Sequence, residues 1–362
     1  RGRELSAYAC AGITSCHESS ERDEAEEKIA KGIAVWIREG SVAKDLQELA
    51  PLLNSYSSAA MGFCTDDRNP LDIAHEGHVD HLVRESLKLG LPMEAVYRTA
   101  SWSVARHYGL DRFTKTRPFR LGAIAPGYQA DLVVLEDASV CGISSVWKAG
   151  VPVGELEFAA GLGVGGGSSV RATAPTEEDL RGPAGAVHVI EVIPGKIITG
   201  RRVADAGAAD VARLTVLERY GRGSKPANGY VSGFGAGFRG AIASSVGHDS
   251  HNLIVVGKKE SDMKSALAHL IAVGGGFAVV ENGRVIADLP LPLGGLMSSA
   301  PSGELVRSLE KLRAASRSVG CELAEPFLQL AFLSLPVIPS LKLTDRGLVD
   351  VEKFAFVDVR AS

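Results

Sequence analysis

Along the first hundred residues the apolar positions switch between two periods. Residues 3–11 and 21–31 carry helical patterns, the second charged and alanine-rich. Residues 13–16 and 33–37 are short apolar runs of the kind that form strands. Residues 45–53 place Leu46, Leu49, Leu52 and Leu53 on one helical face. A further apolar run, Ala59-Ala60-Met61-Gly62-Phe63, leads straight into Cys64-Thr65-Asp66-Asp67-Arg68-Asn69-Pro70. Val79, Leu82, Val83 and Leu87 mark the next helical stripe, and residues 93–108 a last helix. Strand and helix thus alternate three times with short connections, which predicts parallel α/β units. In such units the carboxyl ends of the strands carry the chemistry. His17 and Asp66 both fall at such ends.

From residue 122 to residue 153 the pattern changes to short β runs, at 130–135 and 145–148, separated by glycine and proline. Residues 156–185 contain Gly161-Leu162-Gly163-Val164-Gly165-Gly166-Gly167-Ser168-Ser169, which reads as a flexible linker or mobile loop. A second body begins near Val187. Strands are predicted at 187–193, 211–217, 241–246 and 253–256, and helices at 263–273 and 304–319, the latter with Leu305, Leu309 and Leu312 in step. Residues 277–287 read as a hairpin turning on Asn282-Gly283. This second body is expected to be an α/β or α+β domain.

Composition narrows the classes. The chain has 362 residues, 45% hydrophobic and 23% charged, enough for two or three globular domains. A net charge of -4 gives no electrostatic ground for nucleic-acid or membrane partners. No apolar run reaches the length of a membrane span and no signal peptide is visible. The first residues are Arg1-Gly2-Arg3-Glu4 rather than methionine, so the true amino terminus is expected upstream. Cys10, Cys16, Cys64, Cys141 and Cys321 are scattered and form no CxxC pair, the usage expected of free thiols in a reducing cytoplasm.

Several polar groups are candidates for chemistry. A neutral imidazole at His17 and a carboxylate at Asp66 are suitable ligands for a divalent ion, with Glu18 beside them. A carboxylate at such a place also suits proton transfer to and from water. Asp67 has a functional reading and a plain one, in which it and Arg68 make a helix cap and an ion pair. His75, His78 and His81 stand three apart, unlike the HExxH spacing, and read as a polar face. His75 or Glu76 would line a pocket if the segment leaves the strand ends. Gly247-His248-Asp249-Ser250-His251-Asn252 is dense in possible ligands and lies between two apolar strands, so His248, Asp249, His251 and Asn252 are candidates for substrate or metal contact. Gly235-Ala236-Gly237-Phe238-Arg239-Gly240 fits GxGxxG but is followed by a strand pattern, which argues against a dinucleotide site.

Taken together, Ser15-Cys16-His17-Glu18, Ile37-Arg38-Glu39-Gly40-Ser41, Cys64 to Pro70, Ala74 to His78, Gly247 to Asn252, Leu289-Pro290-Leu291-Pro292-Leu293 and Phe332-Leu333-Ser334-Leu335-Pro336-Val337-Ile338-Pro339 resemble motifs of the carboxyl-terminal portion of bacterial amidohydrolase-type adenine deaminases. The resemblance implies an α/β fold. Residues 1–118 would be the last three βα units of a partial (β/α)8 barrel, and residues 119–155 a small β-sandwich segment. A Gly-rich linker at 156–185 and the family's carboxyl-terminal domain at 186–362 would follow. It implies hydrolysis of adenine to hypoxanthine and ammonia by metal-activated water, with a divalent ion, manganese or iron. His17 and Asp66 would be metal ligands and Asp66 the catalytic proton shuttle. Glu18, Asp67, His75, Glu76, His248, Asp249, His251 and Asn252 would touch substrate or support the site.

The family pattern also includes a His-x-His pair and further Glu and His ligands on earlier strands, for which this chain has no place. About five βα units of the barrel are therefore expected to be missing upstream. Taken alone the chain is expected to be inactive, with strand edges prone to association. The whole protein is expected to be a cytoplasmic homo-oligomer, a dimer, taking adenine and neither nucleic acid nor membrane. Two other readings stand beside this one: another cyclic amidohydrolase, such as a hydantoinase-like enzyme, and a non-catalytic purine-binding or assembly module.

Overall fold

The computed structural model describes residues 1–156, 167–223 and 225–361. They form two compact units, Arg1–Ala160 and Gly161–Ser362.

The first unit opens with α1 (Gly2–Cys10), β1 (Ser15–Cys16), α2 (Arg22–Ala30), β2 (Ala34–Arg38), α3 (Leu46–Leu49) and β3 (Met61–Cys64). The strands pair in the order β1-β2-β3, all parallel, with Cys16 opposite Val35 and Arg38 opposite Cys64. Helices α4 (Pro70–Glu76), α5 (Val79–Lys88), α6 (Met93–Ala100) and α7 (Trp102–His107) follow. Successive side chains of a strand point to opposite faces. Val35, Ile37, Met61 and Phe63 accordingly pack with Leu46, Leu49, Leu82, Val83 and Val96 in one core. Trp36 lies against Gly62, His107 and Tyr108, and its Nε1 donates to Tyr108 Oη at 3.0 Å. An antiparallel sheet of β4 (Leu132–Asp137), β5 (Gly142–Lys148) and β6 (Val151–Pro152) completes the unit.

Two helices are shorter than their patterns predict. The stripe over residues 45–53 is α-helical only to Leu49 and then tightens into a 3-10 turn, Ala50–Leu52, because Pro51 has no N–H to continue the ladder. The stretch 93–108 is broken at Ser101, whose φ of -138° and ψ of -81° separate α6 from α7.

The second unit is built on a mixed sheet. Its strands are β7 (Ala186–Val192), β8 (Thr199–Asp205), β9 (Val211–Leu217), β10 (Ala227–Ser232), β11 (Ala241–Ser244) and β12 (Leu253–Gly257), then β13 (Gly276–Glu281) and β14 (Arg284–Pro290). Helix α8 (Glu260–Val273) precedes β13. The spatial order is β14-β13-β11-β12-β9-β10-β7-β8, antiparallel except for β10 beside β7. Helices α9 (Ser302–Ser318) and α10 (Pro326–Phe332) and a small sheet of β15 (Leu341–Thr344), β16 (Gly347–Asp350) and β17 (Ala355–Val357) follow. The central strands are covered on both faces. Ile242, Ile254 and Val279 join a core with Leu312, Leu330 and Leu341. Their neighbours Ala243, Val255 and Val280 join another with Met263, Leu267 and Leu270 of α8.

The Asn282-Gly283 turn has both residues at positive φ, 51° and 77°, as a tight hairpin requires. The GxGxxG stretch leads from β10 into β11 with no helix behind it. Strands β8, β10 and β15 to β17 and helices α4 and α10 are additions to the sequence pattern; β8 alternates too weakly, as Thr-Gly-Arg-Arg-Val-Ala-Asp, to be read as a strand. Of the glycine-rich stretch, residues 157–166 lie outside the described residues. Beyond them Ser168 and Ser169 donate their hydroxyls to Gly274 O and Gly294 O, at 3.2 and 3.0 Å. Among the described residues no helix is long and apolar enough to cross a membrane.

Candidate active site at the strand ends

The carboxyl ends of β1, β2 and β3 come together because the strands are parallel and in register. His17 follows β1 directly, and its Nε2 stands 3.2 Å from Glu18 Oε1 and 3.6 Å from Asp66 Oδ1. Both main partners remain open to solvent, the His17 side chain at 46% and that of Asp66 at 35%. Asp66 takes φ 48°, in the left-handed region. Aspartate tolerates it better than most residues because its short polar side chain bonds locally. The turn it begins closes with Arg68 N donating to Thr65 O at 3.2 Å.

Asp67 turns the other way. Its Oδ1 accepts from Ser41 N at 3.0 Å and its Oδ2 from Val42 N at 3.1 Å, so it ties the loop after β3 to the loop after β2. The helix cap is instead Asn69, whose Oδ1 accepts from Leu71 N and Asp72 N, both at 3.0 Å, with Pro70 opening α4. Burial pushes the Asp67 carboxyl up from its ordinary range, and the charge of Asp66 adds to this; the amide donors work against both. Gly40 makes room for that carboxylate, since a Cβ there would overlap Asp67 Oδ1 and stand 2.8 Å from its Cγ. Gly40→Ala is therefore expected to destabilise the first unit by about 2 kcal/mol, by overpacking and by loosening the amide bonds. Urea denaturation of both proteins measures it; an unchanged midpoint would remove Asp67 as the tie between the loops.

Arg38 ends β2, and its guanidinium donates from Nη1 to Glu18 Oε2 at 2.8 Å and from Nε to Asp45 Oδ2 at 3.0 Å. Burial works against its charge, but the carboxylates of Glu18 and Asp45 outweigh it and hold the group above its usual range. Burial pushes the Cys64 thiol up to about 12, helped by the charge of Asp66. Attack requires the thiolate, so Cys64 is unsuited to act as a nucleophile. His75 and Glu76 lie exposed in the last turn of α4; Glu76 Oε2 pairs with Arg68 Nη2 at 2.6 Å. His78 Nε2 lies 2.9 Å from Thr65 Oγ1.

The other four candidates belong to the second unit, in the loop between β11 and β12. His248 Nδ1 lies 3.1 Å from Asp249 Oδ1, and its ring stacks on Phe332 with centroids 5.1 Å apart. Asn252 is buried and accepts from Arg219 N through Oδ1 at 3.2 Å, while Arg219 Nη1 donates to His251 O at 2.9 Å. Burial lowers the His251 imidazole from its ordinary value, with His248 and Arg219 adding to the effect. Sequence patterns did not single out Arg219, and Arg38 stood only inside the Ile37-Arg38-Glu39-Gly40-Ser41 motif, with no role given to it. For Arg38 the available signal was a charged residue closing the apolar run Ile33 to Ile37; the run before Arg219, residues 211–217, already holds Arg213 and offers no such signal.

The donors His17 Nε2 and Asp66 Oδ1 suit a hard or borderline divalent ion by their chemistry. Among the described residues, however, no group of three or more His, Cys, Asp or Glu is arranged to hold one. Two donors fall short of a catalytic metal's protein ligands, so this chain's residues fit part of such a shell and not the whole.

Residues 7–153 match the amidohydrolase family, and residues 193–355 match the adenine deaminase C-terminal domain. An adenine deaminase of Methylobacterium nodulans is 50% identical over 368 residues, covering 97% of this chain and 63% of its own length. That of Brucella suis is 45% identical over 371 residues, with 99% and 62% covered. That of Cereibacter sphaeroides is 47% identical over 368 residues, with 98% and 64% covered. The chain belongs to the adenine deaminase family. It spans a little under two thirds of the length of these relatives, 62–64%. Membership explains the parallel strands as part of a TIM-barrel-like amidohydrolase fold, and the family usually uses a divalent metal.

Proposed function

We propose that the protein carrying this chain is an adenine deaminase, converting adenine and water to hypoxanthine and ammonia. The observation that carries the reading is the imidazole of His17 set 3.6 Å from the Asp66 carboxylate at the ends of parallel strands, in a chain similar over nearly its whole length to adenine deaminases. Asp66 takes a proton from the water that attacks C6 of adenine and delivers it to the exocyclic nitrogen. The C6–N6 bond then breaks and ammonia leaves. His17 holds the carboxylate in place on one side while the other side stays open to substrate.

Manganese or iron is the ion proposed, with His17 and Asp66 among its ligands and the remainder of its shell outside the residues of this chain. Such an ion, when bound, acidifies nearby water and polarises the carbon under attack. The proposed setting is a cytoplasmic homodimer in purine salvage, acting on the free base. A second reading, for the chain by itself, is a non-catalytic purine-binding or assembly module, favoured by the lack of a three-donor group among the described residues.

Two measurements separate these. The complete enzyme is expected to release ammonia from adenine and not from cyclic amides, and to lose that activity on chelation. This chain alone is expected to hold no stoichiometric tight metal and to turn over no adenine. Turnover of hydantoins by the complete enzyme would reject the first reading; tight metal and full activity in the chain alone would reject the assignment of ligands outside it.

A further inference from the structure

The loop between β11 and β12 is held from beneath along most of its length. Ser334 Oγ donates to His248 O at 3.2 Å, Tyr220 Oη to Ser250 O at 2.6 Å and Arg219 Nη1 to His251 O at 2.9 Å. Arg219 N donates to Asn252 Oδ1 at 3.2 Å. Arg219 itself is 1% exposed, and its guanidinium bonds to the carbonyls of Ser245, His251 and Gly294 and to the Ser169 hydroxyl. Burying a cation against neutral acceptors costs stability. A plain polar turn between two strands needs no such support.

The residue this loop presents is Asp249, whose side chain is 80% exposed. Its Oδ1 lies 3.1 Å from His248 Nδ1, and the His248 ring is stacked on Phe332 at an interplanar angle of 6°. Beside Asp249 and Ser250 a cavity of about 520 Å³ opens toward the small sheet of β15 to β17. Its other walls include Val337, Arg346, Phe354 and Phe356, all of the second unit. That volume suits a small organic ligand, for which sites run to about 300–1,000 Å³. Val337, Phe354 and Phe356 stand open to solvent, and large apolar side chains gathered in one exposed place mark a binding surface. The charged groups are of both signs, the carboxylates of Asp249 and Asp345 and the guanidinium of Arg346. That balance disfavours a phosphate and favours a neutral ring with N–H donors at its edge.

We propose that this cavity binds a free purine base. The ring lies against Phe356 and Val337, an N–H at its edge donates to Asp249, and Arg346 donates to an acceptor on another edge. The choice of a purine among flat heterocycles rests on the reading of adenine as substrate given above. The site uses none of the residues at the strand ends and is additional to them.

Calorimetric titration of this chain with adenine is expected to show one saturable site. Asp249→Asn and Phe356→Ala are each expected to weaken it about 10-fold, the first by loss of a charged acceptor and the second by loss of stacking. Both side chains are exposed, so the melting temperatures are expected to stay at the unaltered value. Adenosine 5′-phosphate is expected to bind more weakly than adenine, because its phosphate meets the two carboxylates. No saturable heat with adenine, an unchanged affinity in both variants, or tighter binding of the phosphate would overturn the proposal. Sedimentation of the same preparations decides between a base and another occupant: a dimer of this chain that Phe356→Ala dissociates would give the face to a second copy and overturn it too. If the complete enzyme releases no ammonia from adenine, the functional reading falls, while the titration of this chain still decides the cavity.

Discussion

Replacing Asp66 by asparagine is expected to reduce adenine turnover by about 10²–10⁴-fold in the complete enzyme, the range set by loss of a general acid-base group. The substitution removes the charge with little change of shape, and metal content measured on the same preparation separates lost proton transfer from lost coordination. Asparagine matches aspartate in shape and shares its tolerance of the left-handed region, where Asp66 stands at φ 48°. The side chain is 35% exposed, and its ion-pair contact is with His17 at 3.6 Å. An amide there can still meet water or the imidazole, so the melting temperature is expected to move by no more than about 2 °C. The check is ammonia release from adenine, followed beside thermal unfolding of the same preparation. Residual activity above a tenth of the unaltered rate would remove Asp66 from the proton path. A large fall in melting temperature would show that its task is structural.

The second large effect concerns stability in the second unit. Lys342 on β15 is fully buried, and its Nζ donates to Ile197 O at 3.0 Å. Its strand neighbours Leu341 and Leu343 belong to the main core of that unit. Burial alone pushes its amine down to about 7 from an ordinary 10.5. The sign follows from proton binding. Between pH 7 and 10.5 the unfolded chain carries the proton on this lysine and the folded chain does not, so stability rises as pH rises through that window. Below pH 7 both states are charged and the cost of the buried cation is present in full. The contribution across the window is on the order of 3–5 kcal/mol.

Lys342→Met, which keeps the length of the side chain without its charge, is expected to be more stable than the unaltered protein by an amount of that order at pH 7. The difference should shrink steadily toward pH 10.5. Urea denaturation of both proteins at a series of pH values, compared as a difference, cancels the other titrating groups. A difference that stays flat with pH would show that Lys342 keeps its proton throughout by finding water or a partner.

Much of the second unit's fold was legible because its strands are short apolar runs bounded by glycine or polar turns. The Asn282-Gly283 hairpin was readable from two residues, since that turn needs positive φ at both. Strand β8 was not, because a sheet edge tolerates a polar strand whose stability comes from its pairing with β7. The break in the stretch 93–108 was equally hidden: Trp102, Val104 and Ala105 continue an apolar pattern that says nothing of a bend at Ser101.

At the candidate site the division is sharper. The sequence by itself determined that His17 and Asp66 end strands of parallel α/β units, because alternation of short apolar runs with amphipathic helices admits few other arrangements. Its motifs also determined the family. Only the tertiary structure decided which polar groups meet. Asp67, next to Asp66, turns away to the amides of the loop after β2, while Arg38, twenty-one positions from His17, reaches Glu18 and through it the imidazole. The reason is physical. Which strand ends lie side by side is set by sheet order and register, which depend on the packing of the whole layer. A buried guanidinium then takes whichever carboxylates that packing brings within reach.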